Sequence, residues 1–166
     1  GFSSSIYGKF SPLIPILPRP EKMSQETIAV GADHGGYEMK QELTLQLRDM
    51  GFVVLDLGTG STDSVDYPDF AELVVKAIKG GEADRGVLVC GSGIGMSIAA
   101  NRHKGIRAAL CSDEISAGLA RQHNDANILV LGERLTNISV AKQCVNKFFS
   151  TEFEGGRHER RVNKLG

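Results

Sequence analysis

The run Cys90-Gly91-Ser92-Gly93-Ile94-Gly95 concentrates more potential chemistry than any other stretch of this chain. Glycines at alternate positions let a backbone turn tightly and present unpaired N–H groups near a helix N-terminus. Such a turn can hold a phosphate, a carboxylate or a developing oxyanion. A thiol at its head has its thiolate favoured by the same N–H groups, which makes Cys90 a candidate base. The same spacing also serves plain strand-to-helix turns that bind nothing. It matches neither the G-x-G-x-x-G dinucleotide fingerprint nor the Lys-containing phosphate loop, so a dinucleotide site is disfavoured. The other two thiols read differently. Cys144 falls on an apolar helical stripe and Cys111 near a strand end, where cysteine behaves as a small core hydrophobe.

Three further groups could do chemistry. His123, within Arg121-Gln122-His123-Asn124-Asp125, closes a helix and suits either a cap on its negative end or proton transfer. Asp33-His34 is an ordinary polar turn or half of a metal site. No second His or carboxylate stands at ligand spacing, so no metal is expected. The tail Gly155-Gly156-Arg157-His158-Glu159-Arg160-Arg161 is basic behind a glycine pair. It is either a solvated, frayed terminus or an arginine clamp, since guanidinium grips phosphate oxygens in forked geometry.

Short apolar strands and amphipathic helices alternate from Thr27 onward and must position these groups. The strands expected are 28–31, 52–57, 87–89, 106–110 and 128–131. Between them run helices with Met39, Leu43, Leu47 and Met50 on one face, then Phe70, Leu73, Val74, Ala77 and Ile78, with Pro68 at the first helical position. A short helix over 96–102 follows the glycine turn, Ser112 is expected to cap the next helix and Thr136 the last. This alternation predicts an α/β fold: a doubly wound, five-stranded parallel sheet covered on both faces, a Rossmann- or flavodoxin-like three-layer sandwich. The strand order expected is 2-1-3-4-5, with ligands in the crevice between strands 1 and 3. Asp33-His34 and the Cys90 loop lie at those two strand ends.

Composition narrows the class. The chain has 166 residues, 41% hydrophobic and 23% charged, with a formal net charge of -1, which offers no field for nucleic acid or anionic membrane. No apolar run approaches the roughly 20 residues of a membrane span. Three cysteines without CxxC spacing point to free thiols in a reducing compartment, hence a cytoplasmic protein. Residues 1–22 hold four of the five prolines and no periodicity, and are read as an extension before a single domain over 23–166, with Met23 as the expected native start.

Seven motifs in order resemble those of the B-type ribose-5-phosphate isomerases, a family that also includes galactose-6-phosphate isomerase subunits. They are Gly31-Ala32-Asp33-His34-Gly35-Gly36, Asp66-Tyr67-Pro68, the Cys90–Gly95 loop, Ile98-Ala99-Ala100-Asn101, Gly105-Ile106-Arg107-Ala108, Arg121 to Asp125, and Gly155-Gly156-Arg157-His158. The resemblance covers about residues 26–162. It implies that Cys90 moves a proton between C1 and C2 of an open-chain sugar phosphate. Backbone N–H groups of Gly91, Gly93, Ile94 and Gly95, with Ser92, would then steady an enediolate. It implies ring opening by His123, sugar hydroxyls held by Asp33 and Asn124, and Tyr67 at the pocket border. His34, Arg134, Arg157 and Arg161 would hold the phosphate. Many members carry Thr where Ser92 stands. Another branch lacks the Cys and uses a Glu after the glycine loop, where this chain has Met96-Ser97. No cofactor is implied, and a homodimer, possibly a tetramer, with interfacial active sites is.

The reaction expected is therefore the pentose-phosphate-pathway interconversion of ribose 5-phosphate and ribulose 5-phosphate. A hexose-6-phosphate isomerase acting on allose or galactose 6-phosphate shares the same chemistry. A non-catalytic flavodoxin-like module binding a phosphorylated ligand is the reading from another class.

Overall fold

The computed structural model describes residues 25–166, so the expectations for residues 1–22 and Met23 lie outside the described residues. Among the described residues, five strands form one parallel sheet: β1 Thr27–Ala32, β2 Val53–Asp56, β3 Arg85–Cys90, β4 Ala108–Leu110 and β5 Ile128–Gly132. The six α-helices of the described residues alternate with and follow them: α1 Tyr37–Asp49, α2 Tyr67–Lys79, α3 Ile94–Asn101, α4 Glu114–Gln122, α5 Ile138–Phe149 and α6 Arg157–Asn163.

The spatial order is β2-β1-β3-β5-β4, not the 2-1-3-4-5 expected. Burial explains the exchange of the last two strands. Every residue of β5 is buried, whereas the three residues of β4 are half-buried or exposed. A continuous apolar strand is stable when paired on both sides, and a three-residue one makes a short, tolerable edge. That edge is also covered: the Asn101 side chain donates to Ala108 O at 2.9 Å and accepts from Ala108 N at 2.7 Å, standing in for a missing strand.

Right-handed crossovers then sort the helices. The steps β1→β2 and β4→β5 run one way along the sheet, so α1 and α4 share a face. The opposite steps β2→β3 and β3→β4 place α2 and α3 on the other. Two cores result. Met39, Leu43, Leu47, Ala117, Cys144 and Phe148 pack on one side, and Ala71, Val74, Val75, Met96 and Ala100 on the other. Removing each such large side chain from water contributes about 1.5–3 kcal/mol.

Several local expectations need correction. Asp113, not Ser112, caps α4 by accepting from Ser116 N, and Asn137, not Thr136, caps α5 by accepting from Val140 N. In each case the next residue carries the amide or carboxylate oxygen that reaches the third N–H, while Thr136 is buried. Pro68 is the second residue of α2, after the Asp66 cap. Leu73 is 42% exposed, because Ala71 and Val75 complete the buried stripe in its place. Met50 lies just beyond α1, and α3 begins at Ile94 rather than 96.

Candidate active site

β1 and β3 are adjacent and parallel, so their C-terminal ends open side by side at the crevice where the chain reverses direction. The residues after them, with the start of α2 and the turn after β5, enclose a cleft of 460 Å³. Asp33, His34, Tyr67, Cys90, Gly91, Ser92, Ile94, Gly95 and Arg134 line it. The sequence reading proposed all nine. It missed Gly35 and Ile98, which also line the cleft. Ile98 stands one helical turn after Ile94 on the outer face of α3, a spacing that could have pointed to it.

Cys90 is only 4% exposed, at the end of a fully buried strand segment. Its Sγ accepts from Gly93 N at 3.1 Å, which closes the loop into a single turn. Gly93 permits that turn because its φ is +79°, in the left-handed region where a side chain is strained. Ile94 N donates to Ser92 Oγ at 3.2 Å. The amides of Gly91 and Ser92 make no hydrogen bond among the described residues, and both border the cleft beside the sulfur. Gly93 is buried beneath the turn rather than lining the cleft.

The other groups are held from below. Asp33 Oδ1 accepts from Gly35 N at 2.9 Å, fixing the carboxylate of a buried residue. His34 Nδ1 accepts from Val65 N at 3.1 Å, so in its neutral form the ring carries its proton on Nε2. The β3–β5 pairing continues past the strands, with Glu133 N donating to Cys90 O and Arg134 N to Gly91 O, both at 2.9 Å. This continuation brings the Arg134 side chain over Gly91. A Cβ there would come within 3.3 Å of its Nε and Cζ. Arg134 forms no ion pair among the described residues, leaving its fork for an anion.

Deeper support comes from a buried cation. Lys40 Nζ pairs with both Asp56 oxygens at 2.8 and 3.0 Å, and Asp56 Oδ1 also accepts from Gly58 N. Gly58 O in turn accepts from Ala32 N, so this pair steadies the strand end that leads into Asp33. Met96 is fully buried in the core, so the position after the glycine loop offers no group to the cleft. Cys111 and Cys144 are buried, as the core reading expects. Burial raises both thiols, Cys144 to about 12.

Besides Gly93, four proposed residues do not join the cleft. His123 caps the C-terminus of α4, and its ring stacks on His158 with centroids 4.2 Å apart. Asn124 lines a separate cleft beside β4 with Leu165. Arg157 and Arg161 project from α6, exposed, with Arg161 Nη1 donating to Arg157 O. The tail is not frayed. Gly155 and Gly156, at φ of +68° and +56°, turn the chain into α6, and Glu154 N donates to Gln122 O. Every one of the four thus belongs to a second cluster at the α4–α6 end. Another recess, bounded by Glu38, Glu42 and Glu133, is lined by carboxylates and is ill-suited to an anion.

No helix among the described residues is long and apolar enough to cross a membrane. Residues 28–165 match the family model described as Ribose/Galactose Isomerase. The chain is 46% identical over 138 residues to ribose-5-phosphate isomerase B of Escherichia coli, covering 83% of this chain and 93% of that one. Among solved structures, it is similar to ribose-5-phosphate isomerase B of Clostridium thermocellum, with TM-score 0.83 and 50% identity over 84% of this chain and 95% of that one. The type B ribose 5-phosphate isomerase of Trypanosoma brucei gives TM-score 0.82 and 46% identity over 85% and 97%. Sequence, sheet and loop agree, and the chain belongs to the ribose/galactose isomerase family.

Proposed function

We propose that this chain is an aldose–ketose isomerase that interconverts ribose 5-phosphate and ribulose 5-phosphate, with Cys90 as the base. The observation that carries the reading is one cleft holding a thiol, two free loop amides and an unpaired arginine. Arg134 and the Nε2–H of His34 bind the phosphate. Asp33 holds a sugar hydroxyl, and Tyr67 borders the sugar. Cys90 Sγ takes the proton from C2 of the open-chain aldose and returns it to C1, while the O2 hydroxyl proton passes to O1 so that the carbonyl moves to C2. The electron pair left behind forms an enediolate whose oxygen meets the Gly91 and Ser92 amides. Preorganised donors aimed at such charge commonly supply the largest catalytic term. His123 serves as acid and base for ring opening, Asn124 steadies a hydroxyl, and Arg157 and Arg161 clamp the phosphate.

Those last four residues require a second subunit. The Cys90 cleft is bordered by exposed Ile94 and Ile98, and His123 ends an exposed stripe with Leu119 and Ile115 one and two turns earlier on α4. Apolar surface beside both half-sites supports a two-fold homodimer in which each half completes the partner's. A cytoplasmic setting fits three unpaired thiols.

A metal-free assay comparing ribose 5-phosphate with allose 6-phosphate tests the substrate. In it, Cys90→Ala should lose isomerisation and substrate–solvent proton exchange together, at unchanged circular dichroism. Near wild-type turnover in that folded variant would remove Cys90 as the base. His123→Asn should impair ribose 5-phosphate far more than 4-deoxyribose 5-phosphate, which cannot cyclise. Equal losses would assign His123 to positioning instead.

A further inference from the structure

The second cluster contains a donor set that isomerisation does not use as a set. His123, Glu154 and His158 each offer a ligand atom, and these atoms lie within 4.8 Å of one another. The His158 Nε2 to Glu154 Oε1 distance is 3.5 Å, and the two imidazole planes are 14° from parallel. Three backbone contacts hold the residues in place: His123 N to Leu119 O, Glu154 N to Gln122 O, and His158 N to Gly155 O. Two sequence segments about thirty residues apart are therefore fastened together at this point. Near-neighbour spacing could not reveal the set, because His123 joins from a different helix.

We propose that His123, Glu154 and His158 form an inhibitory site for a divalent transition-metal cation of the zinc class. Two imidazoles and one carboxylate suit such an ion better than magnesium or calcium, which prefer all-oxygen shells. On a tetrahedral ion with bonds of about 2.0–2.2 Å, ligand atoms stand about 3.3–3.6 Å apart. The cluster reaches that spacing by tilting the rings and turning Glu154, whose side chain is 52% exposed. A fourth position stays open to water. Both histidines bind as neutral imidazoles, releasing to solvent any proton they carry. Arg157 and Arg161 oppose a cation, and Glu154 is the anionic group that offsets them. Coordination occupies the ring nitrogen of His123. The inhibitory consequence rests on the ring-opening role proposed for that residue, whereas binding itself does not.

Cobalt(II) tests the site. Titrated into Cys90→Ala protein, which removes the cleft thiol as a competing soft ligand, it should give saturable visible absorption at one ion per chain. Glu154→Gln should weaken that binding at least tenfold, and His158→Ala, checked by circular dichroism, should abolish it. The absence of saturable binding, or binding that neither variant changes, overturns the site. In wild-type protein, zinc should depress turnover of ribose 5-phosphate but spare 4-deoxyribose 5-phosphate. Glu154→Gln should keep its metal-free turnover and lose at least tenfold in zinc sensitivity. Binding without any loss of ribose 5-phosphate turnover overturns the inhibitory role. Equal inhibition of both substrates overturns ring-opening blockade as its cause.

Discussion

Mixing two inactive variants tests whether the active site is shared between subunits. Cys90→Ala damages the cleft between β1 and β3. Arg157→Ala/Arg161→Ala damages the α6 cluster, none of whose residues lines that cleft. Charged hydrogen bonds contribute about 1.5–3 kcal/mol each, so losing two lowers kcat/KM by about 10²- to 10⁴-fold. Loss of a general base costs about 10²- to 10⁴-fold. Both parents are then nearly silent. Equal mixing with free exchange gives half the dimers as heterodimers. With crossed sites, each heterodimer carries both defects in one site and none in the other. Activity should therefore return to about 25% of wild type, half the dimers each with one working site of two. The assay is ribulose 5-phosphate formation after subunit exchange, with heterodimers counted by native mass spectrometry. Heterodimers at half abundance with parental activity would refute the crossed site, placing the arginines with their own subunit's thiol.

Gly91→Ala should raise KM for ribose 5-phosphate about tenfold, with a smaller change in kcat, because its Cβ crowds the Arg134 guanidinium at 3.3 Å and shifts it by a few tenths of an ångström. Unchanged KM in steady-state kinetics would remove Arg134 from phosphate binding. Iodoacetamide at pH 8 should label Cys90 alone in the folded protein, with phosphate protecting it. Cys144, pushed up to about 12, is ionised there in only about one molecule in ten thousand, and burial also raises Cys111. Peptide mass mapping that finds Cys144 labelled before unfolding contradicts this. Asp56→Ala should lower unfolding free energy in urea by about 3 kcal/mol, since it strands the Lys40 ammonium, whose side chain is 2% exposed. Adding Lys40→Met should recover most of that loss, and failure to recover would show that Asp56 acts through Gly58 alone.

Much of this protein is legible along the chain because its signals are local. The Cys90–Gly95 loop, the Asp33-His34 turn and Pro68 each lie within a few residues of the strand end or helix start they shape. Alternation of strands and helices was enough for a parallel sheet, and handedness then assigned helices to faces. Helix caps were misread by one residue, because Ser112 and Thr136 compete with Asp113 and Asn137 for the same N–H and only backbone geometry chooses. The order of β4 and β5 depended on which strand could tolerate an unpaired edge, a comparison between segments some twenty residues apart. That Arg134 reaches the thiol loop follows from β5 pairing with β3, so it was accessible only through family resemblance before the fold was known. The separation of His123, Asn124, Arg157 and Arg161 from the Cys90 cleft was likewise open only to the resemblance, which implies interfacial active sites. Residue types announce what chemistry is possible, but distances between remote segments are set by packing, and packing alone joined Glu154 and His158 to His123.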